Sequence, residues 1–282
     1  MLKKLFKYDF KSVLKIWWII AVVTLSVALI GAFSLRILNE NNGVSLFIDI
    51  FGGLLFGVSV ITVSASGVAT CYLAAFRFYK NFYTDEGYLT FTLPVKRSTL
   101  LASKTLNTFL WTFLGLIVTL ISVSFYVIIS PVPTEPGSFF NPVVFKFIEA
   151  ALSDLYKIIG GWLVLYIVEA LILALLIAFF SVTLVHFCIT IGAIIAKKYK
   201  LIAGIAIFYL VSNAISLVAQ FLNFVGVLSV TEGFAYLIGD DKTAACSVIA
   251  LLLLILCAAF GVISFIFYNL TESKLERKLN LQ

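Results

Sequence analysis

Residues 162–190 read WLVLYIVEALILALLIAFFSVTLVHFCIT, and this apolar run decides the fold. Glu169 is its only acidic residue, His186 is its only histidine, and it contains no lysine or arginine. A helix rises about 1.5 Å per residue, so a run of this length exceeds the roughly 30 Å of hydrocarbon in a bilayer. The run therefore predicts a transmembrane helix.

Five other apolar runs are also long enough to cross a bilayer, which predicts six spans, at residues 16–37, 46–76, 106–130, 162–190, 201–230 and 244–270. The composition agrees, since 62% of the residues are hydrophobic and 12% are charged. Soluble domains have about 45–50% apolar residues and about 25% charged residues. The first run is longer than the roughly 7–15 apolar residues of a signal peptide, so we expect it to be retained. The sequence predicts an all-α integral membrane protein, with residues 1–282 forming one transmembrane domain.

The lysines and arginines predict the orientation. Sixteen lie on one side of the predicted spans and four on the other. The larger group is Lys3, Lys4, Lys7, Lys11, Lys15, Arg77, Lys80, Lys96, Arg97, Lys104, Lys197, Lys198, Lys200, Lys274, Arg277 and Lys278, and the smaller is Arg36, Lys146, Lys157 and Lys242. The positive-inside rule places the side with sixteen basic residues in the cytoplasm, which predicts that both termini are cytoplasmic. We expect the protein to be located in the cell (plasma) membrane. Because the basic residues lie in the short segments between spans, the net charge of +6 does not indicate nucleic acid.

Two connecting segments have the pattern of helices that lie in a membrane surface. Residues 1–15 place apolar side chains on one helix face and lysines on another, which predicts an interfacial elbow helix, with a disordered basic tail as the alternative. The outer segment at 131–161 predicts an amphipathic helix that begins at Pro142. Its expected buried face consists of Val144, Phe147, Ile148, Leu152, Leu155 and Ile159.

Signatures of catalysis are absent from the sequence. The single histidine, His186, excludes zinc motifs with paired histidines, and no Gly-rich phosphate loop ending in Lys-Ser or Lys-Thr is present. The four cysteines fall in apolar runs without metal-ligand spacing. We therefore expect a non-catalytic protein with no cofactor and no metal site.

Charged residues inside the spans are few. Glu169 lies about 12 Å from the outer end of its helix, and an intramembrane carboxyl is a functional-site hypothesis because its burial is costly. The alternatives are a structural partner of Arg36 or a protonated, neutral carboxyl. Asp49 and His186 are expected to be residues at the edges of their spans.

Polar residues also form two stripes. In the third span, Thr108, Thr112, Gly115, Thr119 and Ser122 share one helix face, for which helix packing is the usual explanation. In the fifth span a second stripe indicates either a helix interface or a translocation path, and it consists of Asn213, Ser216, Gln220 and Asn223.

The second loop, residues 77–105, is rich in both aromatic and charged residues. Gly87 and Pro94 interrupt it, and Ser98 is a candidate N-cap for the helix that follows. Such an amphipathic loop is suited to contact another protein, although a plain connector is the alternative. The candidate docking residues are Asp85, Glu86, Gly87, Tyr88, Leu89, Phe91, Leu93, Pro94 and Arg97.

These residues carry a family resemblance. The sequence Asp85-Glu86-Gly87-Tyr88-Leu89, the step Leu93-Pro94-Val95, Arg97, Lys104 and the basic start at Leu2–Lys11 resemble the permease subunits of bacterial type-2 ATP-binding-cassette (ABC) exporters. The resemblance implies six spans, an elbow helix and a coupling loop that receives force from a separate ABC ATPase subunit. It also implies a second permease copy or a related permease as partner. The rival functions are a secondary transporter that uses Glu169 and a non-transporting membrane scaffold.

Overall fold

The protein is described from a computed structural model, which covers residues 2–41, 45–84, 86–87, 92, 95–129, 142–196, 198–229 and 242–278. Within these ranges the chain forms seven long helices and no strand. They are α1 (Leu2–Asn41), α2 (Leu46–Tyr83), α3 (Arg97–Ile129), α4 (Pro142–Ile159), α5 (Trp162–Ile195), α6 (Lys200–Ser229) and α7 (Lys242–Lys278). All except α4 are long and apolar enough to cross a membrane. The predicted all-α fold with six spans is confirmed.

The first helix continues without a break through the predicted elbow and the first span. Residues 2–30 contain neither glycine nor proline, so nothing in the sequence forces a kink. The Phe10 ring stacks on Trp111 of α3 at 4.7 Å, and Val13 and Trp17 are buried in the same cluster. Protein therefore covers much of the apolar face that was expected to contact acyl chains. The placement of residues 1–15 in the membrane surface stays a prediction.

The helices on either side of the second loop are longer than predicted. α2 continues past residue 76 to Tyr83, and α3 begins at Arg97 rather than near residue 106. Both extensions carry large side chains that are buried in the fold, such as Phe82 and Leu101. Only residues 84–96 remain between the two helices. The backbone amides of Thr99 and Leu100 donate to the carbonyl of Lys96, so the predicted cap at Ser98 was wrong.

The chain divides into two compact units, Met1–Phe76 with Leu106–Leu155, and Arg77–Thr105 with Tyr156–Gln282. In the first unit, the polar stripe of α3 packs against α2. A side chain at Gly115 would collide with Thr70, and the Thr119 and Ser122 hydroxyls donate to carbonyls of their own helix. The interpretation of this stripe as helix packing fits these contacts, because small residues let helices approach closely.

Helix α4 begins at Pro142, as predicted, but its apolar side chains are not buried. Phe147 is 71% exposed, and Ile148, Leu152 and Leu155 are also exposed, so the described part of the chain does not cover these residues, and their burial in a membrane surface stays a prediction. The side chain of Val144 lies outside the described residues. An amphipathic pattern specifies which face is apolar without specifying what covers it.

In the second unit, α5 packs along both α6 and α7. Gly192 of α5 lies against the backbone of Gly204 in α6, with no room for a side chain between them. Phe180 and Phe187 of α5 contact Phe267 of α7. α5 is thus the central helix of this unit.

Candidate functional site

The second loop and the helix ends that flank it belong to the second unit, together with α5, α6 and α7. At the end of α2, Phe78 and Phe82 lie one helical turn apart, and each is only 1% exposed. At the start of α3, Leu100 and Leu101 are buried as well. Both helix ends that flank the loop are therefore packed into the core of this unit.

His186 of α5 lies at the centre of this core and is 1% exposed. Its ring stacks on Phe78 with centroids 3.8 Å apart and planes 11° from parallel. Its Nδ1 hydrogen-bonds to the Thr105 hydroxyl at 3.3 Å. His186 is enclosed because α2 and α3 extend past their predicted spans, and its place at the edge of its span stays a prediction.

A hydrogen-bonded chain joins the last residue of α2 to α5. The Tyr83 hydroxyl donates to Thr190 Oγ1 at 2.7 Å, and the Thr190 hydroxyl donates to the carbonyl of His186 at 2.8 Å. Both tyrosine and threonine are buried. Buried hydroxyls that are satisfied in this way fix the side chains that carry them, because breaking one bond leaves a costly unpaired group.

The start of α3 is tied to α7. A guanidinium nitrogen of Arg97 donates to the carbonyl of Leu275 at 3.0 Å. Leu275 lies in the last turn of α7, where backbone carbonyls lack a partner within the helix and a cation is favoured. We use the name loop anchor for the set Phe78, Tyr83, Arg97, Thr105, His186, Thr190 and Leu275.

Three of the predicted docking residues are described: Glu86, Gly87 and Arg97. Glu86 is exposed and pairs with Lys80 at 2.7 Å, a surface ion pair of the kind that contributes about 0–1 kcal/mol. The amide of Gly87 donates to the carbonyl of Thr84 at 2.8 Å and closes a turn directly after α2. The remaining docking residues, Asp85, Tyr88, Leu89, Phe91, Leu93 and Pro94, lie outside the described residues.

The predicted polar stripe of α6 is exposed at Asn213, Ser216 and Gln220. The Asn213 amide donates to the carbonyl of Tyr209 at 2.7 Å, and the Gln220 amide donates to the Ser216 hydroxyl at 3.1 Å. Both bonds stay within α6, which leaves the stripe facing outward from the chain. The side chain of Asn223 lies outside the described residues.

Glu169 is half-buried in the second unit, away from the loop anchor along α5. Its Oε2 is buried and has no hydrogen-bond partner in the described part of the chain. One turn earlier, the Tyr166 hydroxyl donates to the carbonyl of Cys246 at 2.8 Å, which joins α5 to α7. The structure does not bring Glu169 together with the stripe of α6 through any described bond.

Sequence reasoning missed most of the loop anchor. The four-residue spacings of Phe78 with Phe82 and of His186 with Thr190 were available signals, since such pairs share a helix face. The contacts of Arg97 with Leu275 and of Thr105 with His186 join residues far apart in sequence, and no local pattern predicts them. In the described ranges, no group of histidine, cysteine and acidic side chains is suited to hold a metal ion.

These features define a multi-pass membrane protein with six candidate spans and a buried, hydrogen-bonded anchor beneath its second loop. No protein-family model, curated protein or solved structure matches the chain. What the protein does therefore follows from its own residues.

Proposed function

We propose that this chain is the membrane-spanning permease subunit of an ATP-driven ABC exporter, and that a separate protein supplies the ATPase. Support comes from the six apolar helices, from the resemblance of residues 85–97 and 2–11 to such permeases, and from the missing nucleotide-binding loop in the sequence. In this proposal the chain is not an enzyme and is located in a bacterial cell membrane with both termini in the cytoplasm.

The observation that carries the proposal is the loop anchor. A coupling loop has to pass force from a partner into the spans without yielding, which requires tight attachment at both of its ends. Tyr83 and Phe78 attach the incoming end to α5, while Thr105 and Arg97 attach the outgoing end to α5 and α7. A plain connector between two helices needs no such set of contacts at both of its ends. Rigid elements of this kind are how a local push becomes a movement of helices.

The proposed partners are an ABC ATPase subunit at the second loop and a second permease, either another copy or a related chain. The exposed stripe Asn213–Gln220 is consistent with the second partner, because amide side chains in a membrane helix are unfavourable against lipid and favourable against another polar helix face. Membrane lipid surrounds the remaining apolar surface. The cargo is not specified by any residue described above.

The direct test is whether a separate ABC ATPase from the same cell copurifies with this chain, with a measurement of ATPase stimulation. The predicted apolar anchors Tyr88 and Leu89 should matter most, since buried aromatic and aliphatic residues usually dominate interface energy. Tyr88→Ala and Leu89→Ala should weaken copurification or uncouple hydrolysis from transport. Lys96→Ala is the matched control, because Lys96 is exposed in the same loop and should have little effect. Absence of any copurifying ATPase with the wild-type chain would refute the proposal and favour a scaffold.

Orientation has its own test. In a variant that lacks the four native cysteines, a cysteine placed at Lys198 should resist an impermeant thiol reagent in intact cells, and one placed at Gly137 should react. The opposite pattern would put the second loop outside and make an intracellular ATPase partner impossible.

A secondary transporter is the second candidate, and the observation that favours it is the buried Oε2 of Glu169, which has no hydrogen-bond partner among the described residues. A carboxyl of this kind can exchange a proton as helices rearrange. Transport that requires a proton gradient, and that Glu169→Gln abolishes in the presence of ATP, would support this candidate over the exporter.

A further inference from the structure

Five lysines form a stripe along the first helix, at Lys3, Lys4, Lys7, Lys11 and Lys15. All five are exposed. Residues 3, 7, 11 and 15 follow each other at four-residue intervals, so their side chains lie on one face of α1. The neighbouring face, with Phe10, Val13 and Trp17, is occupied by Trp111 of α3. The lysine face is therefore turned away from the protein core.

The same face becomes apolar after Lys15. Trp18 is 61% exposed, and Val22 and Leu29 continue the exposed apolar stripe at helical spacing. An exposed tryptophan at the boundary between basic and apolar residues is typical of the membrane–water interface, where the indole lies among the headgroups. In a membrane-spanning α1, the lysine stripe therefore lies beside the lipid headgroup layer.

Because α1 is one continuous helix, the distance of each lysine from that layer along the helix axis follows from its position in the sequence. With a rise of about 1.5 Å per residue, Lys15 and Lys11 lie about 4 and 10 Å from Trp18 along the helix axis, whereas Lys4 and Lys3 lie about 21 and 22 Å away. A headgroup layer is roughly 5–8 Å thick on each side of the hydrocarbon. The screening length at 0.1 M salt is about 10 Å. Only the two lysines nearest Trp18 are within reach of lipid phosphates in an upright helix.

We propose that Lys11, Lys15 and Trp18 form a binding site for the headgroup of an anionic phospholipid. The two ammonium groups bind the phosphate, and the indole of Trp18 lies against the glycerol and upper acyl region. Contacts of Phe10 and Trp17 with Trp111 hold this part of α1 against α3 and so fix the position of the site on the protein. This inference needs a membrane-spanning α1 that continues straight through residues 11–18. It replaces the elbow helix that the resemblance implies and does not depend on an ATPase partner.

The full-length protein in neutral detergent, titrated with phosphatidylglycerol or phosphatidylcholine, tests the site. Binding is measured as the lipid concentration that gives half of the maximal rise in thermal stability. A lysine near an anionic surface contributes about 1 kcal/mol, which is roughly fivefold in affinity. Lys11→Gln with Lys15→Gln should therefore raise the half-saturating phosphatidylglycerol concentration about 30-fold and leave the phosphatidylcholine titration unchanged. Added salt should weaken the wild-type response to phosphatidylglycerol.

The double variant Lys3→Gln with Lys4→Gln is the matched control, because it removes the same charge from the same stripe. We expect a shift of less than about threefold for it, since these lysines lie beyond two screening lengths. Equal losses in the two double variants would overturn the proposal, since they would mean that all of residues 1–15 lies flat on the membrane. An equal rise in the thermal stability of the wild-type protein with both lipids would also overturn the proposal. It would favour an acidic protein as the partner of the lysine stripe.

Discussion

Replacing His186 with alanine perturbs the loop anchor at its centre. The ring is fully enclosed, stacks on Phe78 at 3.8 Å and hydrogen-bonds to Thr105 at 3.3 Å. Truncating a buried aromatic ring to alanine costs about 3–5 kcal/mol, because it removes contacts and leaves a cavity. Against this, the Nε2 of His186 is buried without a partner among the described residues, and such an atom costs about 1–3 kcal/mol. The net loss for His186→Ala should be about 2 kcal/mol.

His186→Phe separates the two contributions. Phenylalanine keeps the volume and the stacking on Phe78, removes the unpartnered nitrogen and loses only the long hydrogen bond to Thr105, so its stability should stay within about 1 kcal/mol of wild type. Thr105→Val should cost about 0.5–1.5 kcal/mol in the wild type and almost nothing in the phenylalanine variant. That difference is the coupling energy of the pair.

Reversible unfolding of the purified protein, by titration with a denaturing detergent, measures these differences. Phe265→Ala is the control, since this ring lies on α7 in the same unit but is 65% exposed, and its removal should change the unfolding free energy by less than about 0.5 kcal/mol. If His186→Ala is as stable as wild type, or if His186→Phe is the less stable of the two, the packing assigned to His186 is wrong.

Three glycines give further predictions. Gly192→Ala should destabilise the protein by about 1–3 kcal/mol, because its new methyl group meets the backbone of Gly204. The control is Gly57→Ala, whose methyl group meets nothing within 4 Å and which should be neutral or stabilising by up to about 1 kcal/mol. Equal effects of the two substitutions on thermal stability would contradict the contact between α5 and α6. Gly87→Ala places a methyl group 2.7 Å from the carbonyl oxygen of Phe82 and should open the turn after α2, which limited proteolysis of the loop would detect as faster cleavage.

The six spans could be predicted from the sequence because the evidence for each is local and strong. In residues 162–190 the apolar side chains alone require a lipid environment, and helix is the one structure that satisfies every backbone group inside a single segment. The start of α4 was predictable for a similar reason, since Pro142 suits the first helical position and the residues after it have a helical period.

The limits of the second loop were not predictable from hydropathy. Residues 77–83 carry charges and aromatic rings that read as a loop, yet they are helical, and Phe78 and Phe82 are buried against elements that follow much later in the chain. Tertiary contacts thus extend a helix past the end of its apolar run. The same limitation applies to His186, whose burial depends on Phe78 and Thr105 rather than on its own neighbours in sequence.

Among the candidate site residues, the sequence identified polar positions but not their surroundings. Asn213 and Gln220 are polar residues on one face of a membrane helix, and the structure leaves that face exposed. Arg97 was a candidate docking residue, and its guanidinium is hydrogen-bonded to the end of α7. Arg97 is also exposed, so its bond to the end of α7 supports the loop while its place in the docking surface stays a prediction.

Glu169 offers a test in which a structural role and a functional role predict different results. Its Oε2 is buried without a partner among the described residues, so replacement by leucine of similar volume should remove a desolvation cost and raise the unfolding free energy by about 1–2 kcal/mol. The nearby bond from Tyr166 to the carbonyl of Cys246 does not involve the Glu169 side chain and should survive. Glu169→Gln, which keeps the polarity, should be close to wild type.

The two variants should be measured for both stability and transport. In the exporter proposal, Glu169→Leu is more stable and still transports when ATP is supplied, because no step uses the carboxyl. In the secondary-transporter alternative, both variants stay folded and both lose transport, since neither can exchange a proton. A Glu169→Leu protein that is less stable than wild type by more than about 1 kcal/mol would contradict the structural assignment, because it would show that the carboxyl has a favourable partner in the native state.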